Sequence, residues 1–192
     1  FTTNSLNQWV KVSQTLNAPV TTSTSVNSDA GISISTYTGN ATSGATIGHG
    51  LTSAPEVVMT KKRGESGGWM VFHIGNTTAP ETEELNLEVT EATQDSANIW
   101  NDTLPSNTVI TLGNNAAINA NNVTFVAYAW HSVEGFSKFG SYVGTNSTDG
   151  AFVYLGFKPA LVITKAASRT GHWNMQDNKN NPTNRVNKVI FA

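Results

Sequence analysis

The stretch Val57-Val58-Met59-Thr60-Lys61, with Trp69 eight residues after it, decides the predicted fold because it occurs twice. Its counterpart is Leu161-Val162-Ile163-Thr164-Lys165, again with a tryptophan, Trp173, eight residues after it. An apolar run that ends in a lysine is typical of a buried strand whose charged end emerges into solvent. Because glycines precede each tryptophan, a hairpin is expected to join this strand to the next one.

The similarity extends upstream of the two hairpins. In each copy a tyrosine stands two residues before a glycine, which suits a turn at positive φ, and a proline then opens the next strand, where no ladder donor is needed. The offset is about 105 residues at the tyrosines and about 104 from the prolines onward. The repeated scaffold positions are Tyr37, Gly39, Pro55 and Trp69 in the first copy, and Tyr142, Gly144, Pro159 and Trp173 in the second.

These patterns predict an all-β fold, an antiparallel, jelly-roll-like β-sandwich built from an internal duplication. The repeats are expected over about residues 31–75 and 136–176 of a sandwich domain that takes residues 31–192. The abundance of Thr, Ser, Asn and Gly also favours strands joined by turns over helices. The strongest single strand of the first half is predicted over residues 123–130.

Residues 1–30 are predicted to form an N-terminal strand, arm or linker outside this sandwich. One strand is expected over residues 6–12, followed by polar Ser/Thr sequence interrupted by Pro19. Two interpretations stay open, namely an arm donated to a neighbouring sheet and a plain surface lead-in. The chain begins at Phe1 without an initiator methionine, which suggests a processed or excerpted piece of a longer protein.

The composition excludes several classes of partner. Charged residues are 12% of the chain and the formal net charge is −2, so we expect neither nucleic acid nor an acidic membrane surface as a partner. No apolar stretch is long enough to insert into a membrane. Since the chain has no cysteine, disulfides and cysteine-based zinc sites are excluded. We predict no cofactor and no metal.

The sequence also gives little support to catalysis. Gly64-Glu65-Ser66-Gly67-Gly68 is similar to the segment around the nucleophile of trypsin-like proteases, but neither His49 nor His73 stands in the histidine context of that family. The matching place in the second copy, residues 167–171, keeps the spacing and loses the motif. The four histidines show no metal-ligand spacing. We therefore predict that the protein is not an enzyme.

Tryptophans and tyrosines on a polar β scaffold are the feature most compatible with sugar binding, because their rings stack on the apolar faces of sugars. Trp100, near a loop, and the pair Trp130 and His131, at a strand end, are the candidate surface contacts. Trp69 and Trp173 occupy matching positions in the two copies, which favours a core role for both.

A resemblance to a known family adds to this interpretation. The stretch Glu134-Gly135-Phe136-Ser137-Lys138-Phe139-Gly140-Ser141-Tyr142, together with Tyr37-Thr38-Gly39-Asn40 and Phe125-Val126-Ala127-Tyr128, resembles a domain common in tail-fibre-like and other virion-associated proteins of marine bacteriophages, including cyanophages. The resemblance implies a virion or extracellular location, a structural or host-recognition role, and no catalytic residues. It also implies a homo-oligomer, as in trimeric fibres.

Three functions are therefore open. The first is a non-enzymatic virion appendage domain, such as part of a bacteriophage tail fibre, that serves assembly and attachment to the host surface. The second is a self-assembling extracellular filament or capsid-decorating subunit joined by strand donation. The third is a carbohydrate-binding module, for which a host-surface glycan would be the ligand.

Overall fold

The structure, a computed structural model, describes residues 2–3, 9–12, 20–179 and 190–191. Its strands are β1 (Thr2–Thr3), β2 (Trp9–Val12), β3 (Thr22–Asn27), β4 (Ile32–Thr38), β5 (Ala45–Gly48), β6 (Val57–Lys62), β7 (Trp69–His73), β8 (Glu83–Asn86), β9 (Gln94–Asp95), β10 (Val109–Leu112), β11 (Thr124–Trp130), β12 (Leu161–Thr164), β13 (Asn174–Asp177) and β14 (Ile190–Phe191). The helices are the single turns α1 (Ala97–Trp100) and α2 (Ala116–Asn119), with a 3₁₀ turn at Pro80–Thr82.

The predicted all-β, antiparallel sandwich is confirmed. A main sheet has the order β1-β2-β3-β4-β11-β6-β7-β8-β9, a second sheet pairs β5 with β10, and a third has the order β12-β13-β14. Strand β11 lies between β4 and β6, and it coincides with the strand predicted over residues 123–130. Its alternating burial places Phe125, Ala127 and Ala129 on the inner face of the main sheet.

The hydrophobic core lies between this inner face and the β5–β10 sheet with the two helical turns. Burial of apolar surface in this layer is the main stabilising contribution to the fold. Its members are apolar side chains at most 7% exposed: Val20, Val26, Tyr37, Ala45, Ile47, Leu51, Val58, Met70, Phe72, Ile99, Trp100, Ile110, Leu112, Ile118, Phe125, Ala127 and Ala129.

The domain boundary expected at residue 30 falls inside this core. Val20 is 4% exposed and Val26 is fully buried, and β3 pairs along its whole length with β4. Residues 20–29 therefore belong to the sandwich rather than to a linker. The many serines and threonines of residues 20–29 favoured a surface segment. A strand that is buried on one face needs buried side chains only at every second position, and β3 has this alternating pattern. Strand β2, the described part of the strand expected over residues 6–12, pairs with β3 of its own chain.

The two hairpins, β6–β7 and β12–β13, have the same register. Val57 pairs with His73 in the first and Leu161 with Asp177 in the second, which is the same pairing displaced by 104 residues. The second hairpin packs on the outer face of the main sheet, because Trp173 is 5% exposed and contacts residues of β7 and β8. The indole Nε1 of Trp173 donates a 2.9 Å hydrogen bond to the carbonyl oxygen of Asn86.

Upstream of the hairpins the two copies differ. Tyr37 is 3% exposed and lies in the core, whereas Tyr142 is 57% exposed. A Cβ atom at Gly39 would collide with the carbonyl oxygen of Ala120, whereas Gly144 has open space around it. The expectation that these positions serve one scaffold role is therefore wrong for Tyr142 and Gly144. The physical reason is that β11 and α2 pack on Tyr37, whereas the described residues between Trp130 and β12 form no strand.

Candidate binding face

Three aromatic side chains form a row on the outer face of the main sheet. Trp69 comes from β7, and Tyr128 and Trp130 come from β11. The ring centroids of Trp69 and Tyr128 are 6.0 Å apart, and those of Tyr128 and Trp130 are also 6.0 Å apart. All three side chains are half-buried, so part of each ring reaches solvent. We call Trp69, Tyr128 and Trp130 the aromatic row.

The strand period places these rings on one face. Tyr128 and Trp130 are two residues apart on β11, and the residues that alternate with them along the strand, Phe125, Ala127 and Ala129, are buried in the core. Trp69 and Val71 likewise alternate on β7 with the core residues Met70 and Phe72. Side chains alternate between the two faces of β7 and β11. The same alternation therefore places the core residues on one face and the aromatic row on the other.

Strand β6 runs beneath the row. Two strands separated by a third lie about 9.6 Å apart, so ring centroids at 6.0 Å require Trp69 and Tyr128 to lean towards each other across β6. Lys61 pairs with Trp69, and its Nζ lies 5.8 Å from the indole centroid and donates to the carbonyl oxygen of Gly67. The ammonium of Lys61 thus lies near the Trp69 ring, whereas Met59, on the same face of β6, packs against the cluster of Val71, Leu85 and Trp173.

Neutral polar side chains border the row on its β3–β4 side. The pairing of β11 with β4 sets Val126 opposite Thr36, and β4 in turn sets Thr36 opposite Ser23 and Ile34 opposite Ser25. Thr36 and Ser25 are half-buried and Ser23 is exposed. The hydroxyl groups of this border can donate and accept hydrogen bonds beside the rings.

A groove of about 550 Å³ adjoins the end of the row at Trp130. The backbone amide of Glu56 donates a 2.7 Å hydrogen bond to the carbonyl oxygen of Trp130, and the Glu56 carboxylate accepts from the backbone amide of Ser132. On the other wall, Lys138 Nζ donates a 2.9 Å hydrogen bond to the carbonyl oxygen of Tyr154. The charged groups named here thus hold the walls of the groove together.

The groove wall contains the stretch that carries the family resemblance. Residues 132–139 turn back on themselves through the bridge between Val133 and Ser137, and they contribute most of the lining on that side. Phe136, at the tip of this turn, is 63% exposed. The stretch therefore shapes a surface instead of a core.

The three predicted contact residues have different environments in the structure. Trp100 is 1% exposed and meets Phe72 edge-on at 6.0 Å between ring centroids, so its prediction as an exposed contact is wrong. Trp130 lies in the aromatic row. His131 donates from Nδ1 to the carbonyl oxygen of Ser132 at 2.8 Å and keeps Nε2 buried, so it does not extend the row.

The two tryptophans at matching positions of the repeat also differ in burial. Trp173 has the expected core role, whereas Trp69 is half-buried in the aromatic row and is not a core residue. Tyr128 was missed by the sequence interpretation. Its position two residues before Trp130 in an alternating strand was the signal that could have found it.

Within the ranges that the structure describes, no cluster of three or more His, Asp or Glu side chains could hold a metal ion. Over the same ranges, neither helical turn approaches the length or apolar character needed to cross a membrane.

Comparison with known families places the chain by sequence. A family model, described as a domain of unknown function (DUF7483), matches residues 8–192. The chain belongs to the DUF7483 family. The match includes β3 and begins just before β2, in agreement with the position of β3 inside the DUF7483 sandwich. No curated protein and no solved structure matches the DUF7483 chain.

Proposed function

We propose that this DUF7483 domain is a non-enzymatic adhesion module that binds glycans through the aromatic row. The observation that carries the proposal is the alignment of three half-buried rings, 6.0 Å apart, on the outer face of one sheet. Indole and phenol rings stack on the apolar faces of sugars, while their polar atoms stay near water. Rings fixed on strands lose little conformational freedom on binding.

The setting that we propose for this module is a virion appendage, such as a tail fibre, where it would attach to the host surface outside the cell. This part of the proposal rests on the resemblance of residues 134–142 to virion-associated domains. The position of that stretch beside the end of the aromatic row supports a recognition role for it.

The test is a glycan array followed by titration of any glycan that binds. Trp130→Ala and Tyr128→Ala are expected to weaken binding roughly tenfold each, since each removes one stacking ring. Phe152→Ala is the matched control, because Phe152 is an exposed aromatic residue outside both the row and residues 134–142, and it should bind like the wild type. An array without any bound glycan, or row variants that bind normally, would refute the proposal.

We further propose that copies of the chain assemble through the β12 edge, which would make the module a homo-oligomer, either trimeric or filamentous. Strand β12 pairs only with β13, and none of the strands that the structure describes covers its other edge. Its residues Leu161, Val162 and Ile163 are 51%, 37% and 45% exposed. An open apolar edge favours pairing with a strand of another chain.

Light scattering coupled to size exclusion would test this assembly across a range of protein concentrations. Ile163→Lys is expected to shift the population towards monomer, because a charge on the edge opposes strand pairing. Leu104→Lys is the control, since Leu104 is a similarly exposed apolar residue on a loop. A wild-type chain that stays monomeric at every concentration would contradict the assembly proposal.

A further inference from the structure

We infer that the aromatic row selects a neutral, extended oligosaccharide and engages three consecutive pyranose units, one on each ring. This inference rests on the proposed glycan binding and adds the class and length of the ligand. It follows from the path of the row, from the charges beside it, and from the polar border on the β3–β4 side.

The path of the row is stepwise and continuous. Trp130 and Tyr128 follow one another along β11. Trp69 is level with Val126, because both are opposite Lys61 in the ladders of β6, so the third ring continues in the same direction while it crosses β6. Each step measures 6.0 Å between centroids, which is comparable to the advance of one sugar residue in an extended chain.

The ring orientations suit a single unbranched ligand. The planes of Tyr128 and Trp130 differ by 13°, and those of Trp69 and Tyr128 by 35°. A chain of pyranoses with equatorial substituents presents broad apolar faces in succession, and such faces can meet rings of similar orientation. A compact or highly branched glycan would reach one ring and leave the others unused.

The charges beside the row are already engaged. The ammonium of Lys61 is bound to the carbonyl oxygen of Gly67, and a carboxylate oxygen of Glu88 accepts a 2.8 Å hydrogen bond from the backbone amide of Trp69. These two charges are opposite in sign. Recognition of uronic acids or sulfated sugars uses an excess of positive charge, whereas Lys61 and Glu88 together leave no net charge beside Trp69, and Ser23, Ser25 and Thr36 of the β3–β4 border carry none. A neutral glycan is the class that fits.

The β3–β4 border supplies neutral hydrogen-bonding groups. Ser23, Ser25 and Thr36 lie on the outer face of the sheet at the levels of Tyr128 and Val126. Hydroxyl groups can exchange hydrogen bonds with sugar hydroxyls as donor or acceptor, without a charge to desolvate.

Calorimetric titration with two oligosaccharide series tests the inference. One series consists of unbranched neutral glucans, mannans and galactans of increasing length, and the other of uronic acid chains of the same lengths. For at least one neutral series, affinity is expected to rise with each unit up to the trisaccharide, roughly tenfold per added ring contact, and to change little beyond it.

Variants locate the contacts within the chain. Trp69→Ala is expected to remove the gain of the third unit, because Trp69 stands at one end of the row and a trisaccharide would then meet only two rings. Tyr128→Ala, at the centre, should weaken disaccharide and trisaccharide binding alike. Trp69→Phe keeps a ring and should keep most of the gain, which separates lost stacking from lost folding.

The outcomes against the inference are distinct from those against glycan binding itself. Equal affinity for monosaccharide and trisaccharide, or tighter binding of the uronic acid series, overturns the inference while glycan binding stands. An absence of binding by both series and by a broad glycan array overturns the proposed function, and the inference with it.

Discussion

The hydroxyl group of Tyr37 donates a 2.6 Å hydrogen bond to the carbonyl oxygen of Ile118, a residue 81 positions later in the chain. The Tyr37 ring stacks on Phe125 with a centroid distance of 5.0 Å and an interplanar angle of 9°. Burial raises the pKa of Tyr37 far above its ordinary value, so the hydroxyl keeps its proton and stays a donor. Tyr37 thereby joins β4, β11 and α2.

Tyr37→Phe is expected to lower the free energy of unfolding by about 1–3 kcal/mol, because the carbonyl oxygen of Ile118 loses its buried donor. Tyr142→Phe is the matched control and should change it by less than about 0.5 kcal/mol, because Tyr142 is exposed. Urea unfolding measures both values. Equal effects would mean that the two tyrosines have similar environments.

Gly39→Ala is expected to destabilise the fold by about 1–3 kcal/mol, since a Cβ atom there meets the backbone of Asn119 and Ala120. Gly144→Ala occupies the repeated position in open space and should be nearly neutral. Thermal unfolding of the two variants gives the comparison. A tolerated alanine at Gly39 would show that α2 can move away from β4.

Asn119 is fully buried, and its side chain makes three hydrogen bonds. Its amide nitrogen donates to the carbonyl oxygens of Thr42 at 3.0 Å and Gly113 at 2.8 Å, and its oxygen accepts from the backbone amide of Asn40 at 2.9 Å. Asn119→Ala should therefore cost at least about 2 kcal/mol of unfolding free energy. Asn115→Ala, which removes only the N-cap of α2, should cost about 1 kcal/mol. Chemical denaturation measures both free energies of unfolding. A larger loss for Asn115→Ala than for Asn119→Ala would contradict the prediction.

Acidification should destabilise the fold through His49. Burial, the main cause, lowers the pKa of His49 below its ordinary value of 6.5, and the neutral ring accepts from the backbone amide of Leu51 and donates to the carbonyl oxygen of Ser106. Below about pH 6.5 the unfolded chain therefore binds a proton that the folded chain does not. The stability contributed by the neutral ring is present above that pH and is lost as the pH falls towards the folded-state value.

The measurement is denaturant unfolding of wild type and His49→Gln between about pH 7 and pH 5. The variant should be less stable at neutral pH and should lose less stability on acidification than the wild type does. His73, whose pKa is also lowered mainly by burial, contributes in the same direction and stays in both proteins. Parallel pH profiles would rule out a contribution from His49.

Trp173→Ala is expected to cost about 3–5 kcal/mol in the stability of the second hairpin, because it empties the contact with Val71 and Leu85. Hydrogen exchange should show faster exchange in β12 and β13 and unchanged protection in β11. Trp69→Ala removes the tryptophan at the repeated position but only a half-buried ring, so a smaller loss is expected. Loss of protection throughout the main sheet would contradict this local role.

Part of the fold follows from local patterns. The alternation over residues 123–130 predicts β11, and the apolar run with its downstream tryptophan predicts each hairpin, whose registers agree. These features were predictable because strand period and turn chemistry are properties of neighbouring residues. Pro55 and Pro159 each stand two residues before their strand, as the pattern suggests.

The candidate site was only partly predictable. Trp130 was identified because it ends a strong strand, but Trp100 looked equally exposed from its loop context and is buried against Phe72. Whether a ring at an element boundary faces solvent depends on what packs over it, and that partner is distant in sequence.

The sequence by itself determined the all-β class, the strand β11 and the paired hairpins, because each depends on residues close together in the chain. Only the tertiary structure decided that Tyr37 is buried and Tyr142 exposed, that β3 belongs to the core, and that Trp69 joins Tyr128 and Trp130 on one face. Those outcomes depend on which strands lie side by side. Burial is set by long-range packing, and identical local sequence patterns acquire different environments when only one of them is covered.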